Sequence, residues 1–223
     1  MLGRRALLVA LLVSLCTSGF AKTHIITFGK TANVQWFVTP EKSLPIAVRP
    51  LYVDGKLREF TSGDAHDVTD SSFVVRRAYR INDYLPEDQK KVPNWKWQRG
   101  EWLLVNRRTG NVSTINLPDF DPYYSVVSWY RDYAAYCGIA DEGEKVFATV
   151  MQLGNKKPVL HKLVGPAKAG EQPDSECPAP KWQREPMRVT FEPAGGQATS
   201  FDIRGHSADV TEKSEKDDSA GSQ

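Results

Sequence analysis

Apolar residues in this chain come in short runs rich in Val, Ile, Thr, Tyr, Phe and Trp, cut by Gly, Pro, Asn and Asp. No stretch carries a helical stripe longer than two turns. This pattern restricts the chain to an all-β fold of antiparallel meanders, arranged as a sandwich, an open barrel or a small blade-like array of sheets. Ile46 to Val53, Asp54-Gly55 and Lys56 to Thr61 read as a hairpin, because Asp-Gly accepts the positive φ angles of a tight turn. Pro50 inside the first arm favours an edge position. His24 to Phe28 and Val34 to Thr39 read as a first pair of strands, and Ser72 to Ile81 as another. Trp95 to Gln98, Glu101 to Asn106 and Asn111 to Ile115 follow, with turns at Arg99-Gly100 and Arg107 to Gly110. Ser125 to Tyr130, Ala134 to Ile139, Lys145 to Leu153 and Pro158 to Leu163 continue the meander, with turns at Asp141 to Glu144 and Gly154 to Lys157. Met187 to Glu192 and Ser200 to Ile203 close it. Tyr84 to Lys90 allows one short helical turn, and Ala167 to Pro180 reads as a long loop.

The N-terminus carries a different signal. Arg4-Arg5 precede the apolar run Ala6 to Leu15, and Gly19-Phe20-Ala21 fits a small-x-small processing site. The run is about ten residues, half of what a membrane span needs. Residues 1–21 are therefore expected to be a signal peptide cleaved after Ala21, exporting the protein to the periplasm or the exterior with no retained transmembrane anchor. Arg4-Arg5 suits either the general or the twin-arginine route. Leu15 before Cys16 is too large for lipoprotein processing. Residues 22–207 form one β-rich domain in this reading, and residues 208–223 a disordered polar tail.

Cleavage also alters the charge and the cysteine count. The full chain has 29 Lys+Arg against 27 Asp+Glu, and its excess lies in Arg4 and Arg5. A neutral domain lacks the field that holds nucleic acid, so no nucleic-acid partner is expected. Of three cysteines, Cys137 and Cys177 remain. In an oxidising compartment they are expected to form a disulfide.

Three polar clusters carry candidate chemistry. In Gly63-Asp64-Ala65-His66-Asp67-Val68-Thr69-Asp70, residues Asp64, His66, Asp67 and Asp70 are candidate metal ligands, and Asp67 is placed to orient His66 as a base. The spacing lacks the terminal Glu of a calcium loop, and a turn has its own uses for Asp, Gly and Thr. Asp119 and Asp121 form the second cluster, two carboxylates that would divide acid and base roles in a hydrolase, or simply shape an Asp-Pro turn. In the third, Arg131 and Asp132 would face opposite sides of a strand, each then needing its own partner, or would be ordinary residues of a surface bend. His66, Asp67, Asp119, Asp121 and Asp132 are thus the catalytic candidates.

Aromatic residues concentrate between Trp95 and Tyr136. Trp95 and Trp97, two apart, share a strand face of the kind that stacks on sugars or peptides. With Tyr123, Tyr124 and Arg131 they are the binding candidates. Serine-hydrolase elbows, zinc-protease helices, Cys-x-x-Cys pairs and phosphate-cradling glycine loops are absent, and no cofactor is implied. Glu101 to Ile115 followed by Ser125 to Leu163 resembles strands of β-propeller blades. The likeness rests on Trp102-Leu103-Leu104-Val105 before Thr109-Gly110, and on Gly138-Ile139-Ala140-Asp141-Glu142-Gly143 between two strands. It spans about a third of the chain and implies blade-like sheets but no activity. The expectation is an exported binding or structural envelope protein with a protein, peptide or glycan partner. The alternative is a carboxylate- or metal-dependent hydrolase acting outside the cytoplasm.

Overall fold

The computed structural model describes residues 23–37, 42–83, 92–140, 145–166, 177–193, 197–205 and 207–210. These form fifteen strands in three sheets, all but one pairing antiparallel. The first sheet holds β1 (Ile26–Phe28), β2 (Ala32–Phe37), β3 (Ser43–Val53), β4 (Lys56–Thr69), β5 (Ser72–Asn82), β6 (Trp95–Asn106) and β7 (Val112–Thr114). Strands β2 to β6 pair in sequence and close into a five-stranded barrel. Four antiparallel steps leave the first and fifth strands pointing the same way, so the closing pair is parallel, with Trp36 opposite Trp97.

Strands β8 (Ser128–Tyr130), β9 (Tyr133–Ala140), β10 (Lys145–Gln152) and β11 (Leu160–Pro166) make the second sheet, in the order β11-β10-β9-β8. The third follows as β12 (Lys181–Gln183), β13 (Arg188–Phe191), β14 (Thr199–Arg204) and β15 (Ser207–Val210). Both are simple four-stranded meanders; of the segments that resembled propeller blades, Ser125 to Leu163 falls in the second sheet, whereas Glu101 to Ile115 belongs to the barrel sheet. Among the described residues no helix is long and apolar enough to cross a membrane.

The second sheet is covered on both faces. Tyr133, Ala135 and Cys137 of β9 pack with Val146, Ala148 and Val150 of β10 against Val189, Phe191, Phe201 and Ile203 of the third sheet. The alternate residues Ala134 and Tyr136, with Met151, pack against Val74 and Trp102 of the barrel and against Leu117 and Val127. Residues 133–138 are consequently all buried, and β9 reads as an unbroken apolar run instead of an alternating one. The opposite face of β5 and β6 has its own core, with Phe73, Val75, Leu103 and Val105 around Leu51.

Polar ties reinforce the stack. Trp182 Nε1 donates to the Ser128 carbonyl at 3.0 Å, and the Tyr133 hydroxyl to the Gly205 carbonyl at 3.1 Å. Cys137 and Cys177 are disulfide-bonded, their Cα atoms 6.1 Å apart, which joins the middle sheet to the segment entering the third. Gly138 is fixed by close approach, since a Cβ there would sit 3.0 Å from both Cβ and the carbonyl oxygen of Asp119.

Several local expectations are corrected. β1 and β2 do not pair with each other; both lie along the same side of β3. Pro50 is therefore not at an edge. It lies where β1 gives way to β2, and its carbonyl accepts from Gly29 N–H at 2.8 Å. A proline fits because its missing N–H falls in that break. Trp95 to Asn106 is one strand. Gly100 and Glu101 form a bulge opposite Arg77, where a two-strand reading placed a turn. Gly63 to Thr69 is likewise strand, and the turn falls at Asp70-Ser71. Trp129 to Tyr133 is a hairpin with its turn at Arg131-Asp132, the bend rather than the strand of the two forms the sequence allowed there. Asp54-Gly55 turns as expected, with φ of 52° and 74°. The strands β12 and β15 lacked a clear sequence signal, and β15 runs three residues into the segment assigned to the tail. The expected signal peptide, the Tyr84 to Lys90 turn, the Asp141 to Glu144 turn and most of the Ala167 to Pro180 loop lie outside the described residues.

The disulfide closes a separation of 40 residues, which the loop-entropy model values at about 4 kcal/mol. The Cys137→Ser, Cys177→Ser double variant should lose roughly that much in urea unfolding. Two alkylatable thiols in the unreduced native protein would contradict the bridge.

Candidate functional site

The register of the barrel strands gathers one set of side chains on one face. Trp36 pairs with Trp97 and with Leu44. Arg80 pairs with Trp97, Asn82 with Trp95, Ala78 with Arg99, Arg76 with Trp102 and Ser62 with Arg76. Paired residues in a ladder share a face. The bulge at Gly100-Glu101 resets the alternation so that Arg99 and Trp102 both join it. The result is a track of four tryptophans interleaved with three arginines.

At one end the track is open. Trp95 is 53 % exposed, and the Arg80 guanidinium lies 5.4 Å from the ring centroids of both Trp95 and Trp97. Phe60 closes on Trp97 edge to face at 5.3 Å. Such cation–π contacts are worth about 0.5–1 kcal/mol each when exposed.

At the other end the track sinks into a cleft of about 420 Å³ lined by Trp36, Leu44 to Ala47, Ser62 to Asp64, Arg76, Arg99 and Trp102. Arg99 stacks over Trp36 at 4.5 Å. Arg76 is buried, and its charge is met by carbonyls: Nη2 donates to Pro122 at 2.5 Å and Nε to Gly100 at 3.4 Å. The Leu117 to Val127 connection lies against the track. Its Tyr123 ring sits 6.0 Å from Trp36, and the Tyr123 hydroxyl donates to Gln98 Oε1 at 2.6 Å. Trp36 and Trp102 are both buried, and the indole N–H of each has no acceptor among the described residues. Buried donors nearly always have partners; among the described residues Arg49 Nε and Trp129 Nε1 are unpartnered in the same way outside the cleft.

The residues expected to carry chemistry are distributed differently. Asp64 lines the cleft. His66 donates from Nε2 to the Arg131 carbonyl at 2.8 Å and stacks on Trp129. Asp67 is paired with Arg107 at 2.6 Å. Neighbours on a strand face opposite ways, so Asp67 does not orient His66. Asp70 lies in the β4–β5 turn, and among the described residues no three metal-ligating groups gather. Asp121 accepts from the backbone N–H of Tyr123 and Tyr124 at 2.7 and 3.3 Å, shaping its loop. Asp119 has φ of 54° and lies 3.6 Å from His161, on the middle sheet. The two carboxylates therefore serve separate structural tasks. Asp132 accepts from Gln152 Nε2 at 2.8 Å, and Arg131 lies exposed in the hairpin turn with φ of 53°. Tyr124 is 38 % exposed on the loop.

Of the binding candidates, Trp95 and Trp97 lie on the track and Tyr123 beside it, while Arg131 is elsewhere. Trp36, Arg76, Arg99 and Trp102 were not singled out as site residues from sequence. Arg76 stands in the middle of a strand-like run, whereas Arg99 reads as part of a turn, and only the register joins them to Trp36 and Trp102. No protein-family model matches the chain, and no curated protein matches it.

Three phenols near these elements are held in their neutral form. Burial above all, with the Asp119 carboxylate adding to it, pushes Tyr136 far above the ordinary tyrosine range. Burial and then Asp132 raise Tyr133, and burial followed by Tyr79 and Asp121 raises Tyr123. Unfolded tyrosines ionise near pH 10. The stability these neutral phenols contribute is therefore intact below about pH 10 and is lost as pH climbs above it, because the unfolded chain releases its protons first. Ultraviolet titration of the native protein should show a late-ionising class of tyrosines together with a falling thermal midpoint. All eight tyrosines titrating together near pH 10 would contradict the burial.

Proposed function

We propose that this chain is a non-enzymatic, exported binding module that takes an extended anionic partner, peptide or glycan, along the tryptophan–arginine track and into the cleft. The observation that carries the reading is a cleft of about 420 Å³ whose lining brings Trp36 and Trp102 together with Arg76 and Arg99, continuous with the exposed Trp95. Guanidinium groups are donors without acceptor capacity and here flank indole rings, so the site suits carboxylates and carbonyl-rich chains. Trp95 and Trp97 would then stack on the part of the ligand that leaves the cleft. The blade-like meanders β8–β11 and β12–β15 support a scaffold role for the rest of the chain. Export is supported by the basic start, short apolar run and processing site of residues 1–21, and the Cys137–Cys177 disulfide is compatible with an oxidising compartment.

Arrays of acidic peptides and uronic-acid oligosaccharides, followed by tryptophan-fluorescence titration, test the reading. Binding should weaken as salt is raised. Arg99→Ala should cost about 1.5–3 kcal/mol of affinity, the worth of a hydrogen bond to a charged group. Trp97→Ala should weaken binding with the circular dichroism unchanged. Silence on both arrays, or full affinity in Arg99→Ala, would refute it.

A further inference from the structure

We propose that Arg80 and Trp95, at the open end of the track, recognise a uronic acid residue of an acidic glycan, its carboxylate on the guanidinium and its sugar ring on the indole. This rests on the binding reading above and names its ligand class and the residues that select it.

Three strands assemble the site through their register. Arg80 of β5 is opposite Trp97 of β6, and Asn82 is opposite Trp95, so both indoles share the face that carries Arg80. Phe60 of β4 is opposite Ala78, whose small side chain lets the phenyl ring reach across β5 to Trp97. The Arg80 guanidinium lies 5.9 Å from the Phe60 ring centroid and 5.4 Å from each indole centroid. Three rings therefore fix where this cation sits.

The rings supply no carboxylate or carbonyl. Arg80 is exposed, and among the described residues it has no hydrogen-bond acceptor and no ion pair. Arg77, Arg107 and Arg188 each have a carboxylate of their own. The acids nearest in sequence on these strands are already engaged. Glu59 and Glu101 lie 3.0 and 4.0 Å from the Arg77 guanidinium, and Asp83 is paired with Lys96. A guanidinium held in place without an anion is suited to bidentate capture of a carboxylate from outside.

Trp95 adds the second requirement. It is 53 % exposed and offers a flat apolar face beside the cation. An Asp or Glu side chain of a peptide meets Arg80 but has no flat face for Trp95. A neutral sugar covers Trp95 with its C–H face but leaves Arg80 without an acceptor. A uronic acid residue carries its carboxylate directly on the pyranose ring, so one rigid unit meets both groups with no side chain to order. A nucleic-acid strand also joins rings to anions, but it calls for a run of cations, and the chain is neutral apart from Arg4 and Arg5.

The test titrates the purified protein, by tryptophan fluorescence and calorimetry, with an oligogalacturonide, with the same oligosaccharide after its carboxyl groups are reduced to alcohols, and with an acidic hexapeptide. The oligogalacturonide should bind, and carboxyl reduction should weaken it about tenfold or more. Arg80→Gln should cause a similar loss with circular dichroism unchanged, and Arg80→Lys should not restore the affinity, because an ammonium lacks the planar fork. Trp95→Ala should weaken the intact and the reduced oligosaccharide alike. Carboxyl reduction alters only the probe, so it decides the matter even if a variant misfolds. Equal affinity for the reduced oligosaccharide would overturn carboxylate recognition. Uronide binding that Arg99→Ala weakens and Arg80→Gln leaves intact would overturn this site and leave the cleft reading standing. Binding that depends on Arg80 but not on Arg99 would support this site and overturn the cleft reading. Peptide binding as tight as uronide binding, with the same dependence on Arg80, would overturn the glycan assignment. No binding of any probe would overturn both.

Discussion

Tyr136 and Cys137 are neighbours in β9 whose side chains leave it in opposite directions, one toward the barrel and the other toward the C-terminal sheet. Both are almost wholly buried. Each fully buried large side chain is worth about 1.5–3 kcal/mol, and here one short strand contributes such groups to two cores at once. The barrel and the third sheet therefore each cover a face of the same element. Small residues make this possible: Ala134 and Ala135 let the outer layers approach, and Gly138 leaves room for the Asp119 backbone. The Tyr136 hydroxyl, deep between layers, is satisfied by the Pro118 carbonyl at 2.7 Å.

That arrangement also sets up the cleft. The connection from β7 to β8 is held to β9 by the Ile139 N–H donating to the Asp119 carbonyl, and by the Ser125 hydroxyl donating to that of Cys137, at 2.8 and 2.7 Å. Held there, it brings Pro122 to Arg76 and Tyr123 to Gln98 and Trp36. Arg76 is thereby kept buried and charged on the wall of the cleft. Two bulges, at Gly63–Ala65 and at Gly100–Glu101, bend the barrel strands so that the tryptophans and arginines share one face.

The fold class was legible in the sequence because strand composition and the Asp54-Gly55 turn are local properties. So was the disulfide, which needed only two cysteines and the expectation of export. Local reasoning failed where the deciding contact is distant. Pro50 resembled an edge residue because nothing nearby shows that β1 ends beside it. Gly63, Asp64 and Asp67 resembled a turn, since a bulge uses the same residues as a loop. Arg131-Asp132 could be a strand or a bend, and only the pairing of Ser128 with Ala135 settles it. The track was half visible. Trp95 and Trp97 declared a shared face by their spacing, whereas Trp36, 59 positions before Trp95 in the numbering, joins them only through a parallel pair closing the barrel.

Native-state hydrogen exchange tests the shared middle sheet most directly. A strand buried on both sides opens only when both outer layers release it. Amides of residues 133–139 and 146–151 should exchange slowest of all and only through global unfolding, with those of β13 and β14 close behind. Fast exchange in β9, or exchange of residues 181–210 as a unit that leaves the middle sheet's protection toward the barrel unchanged, would contradict the account.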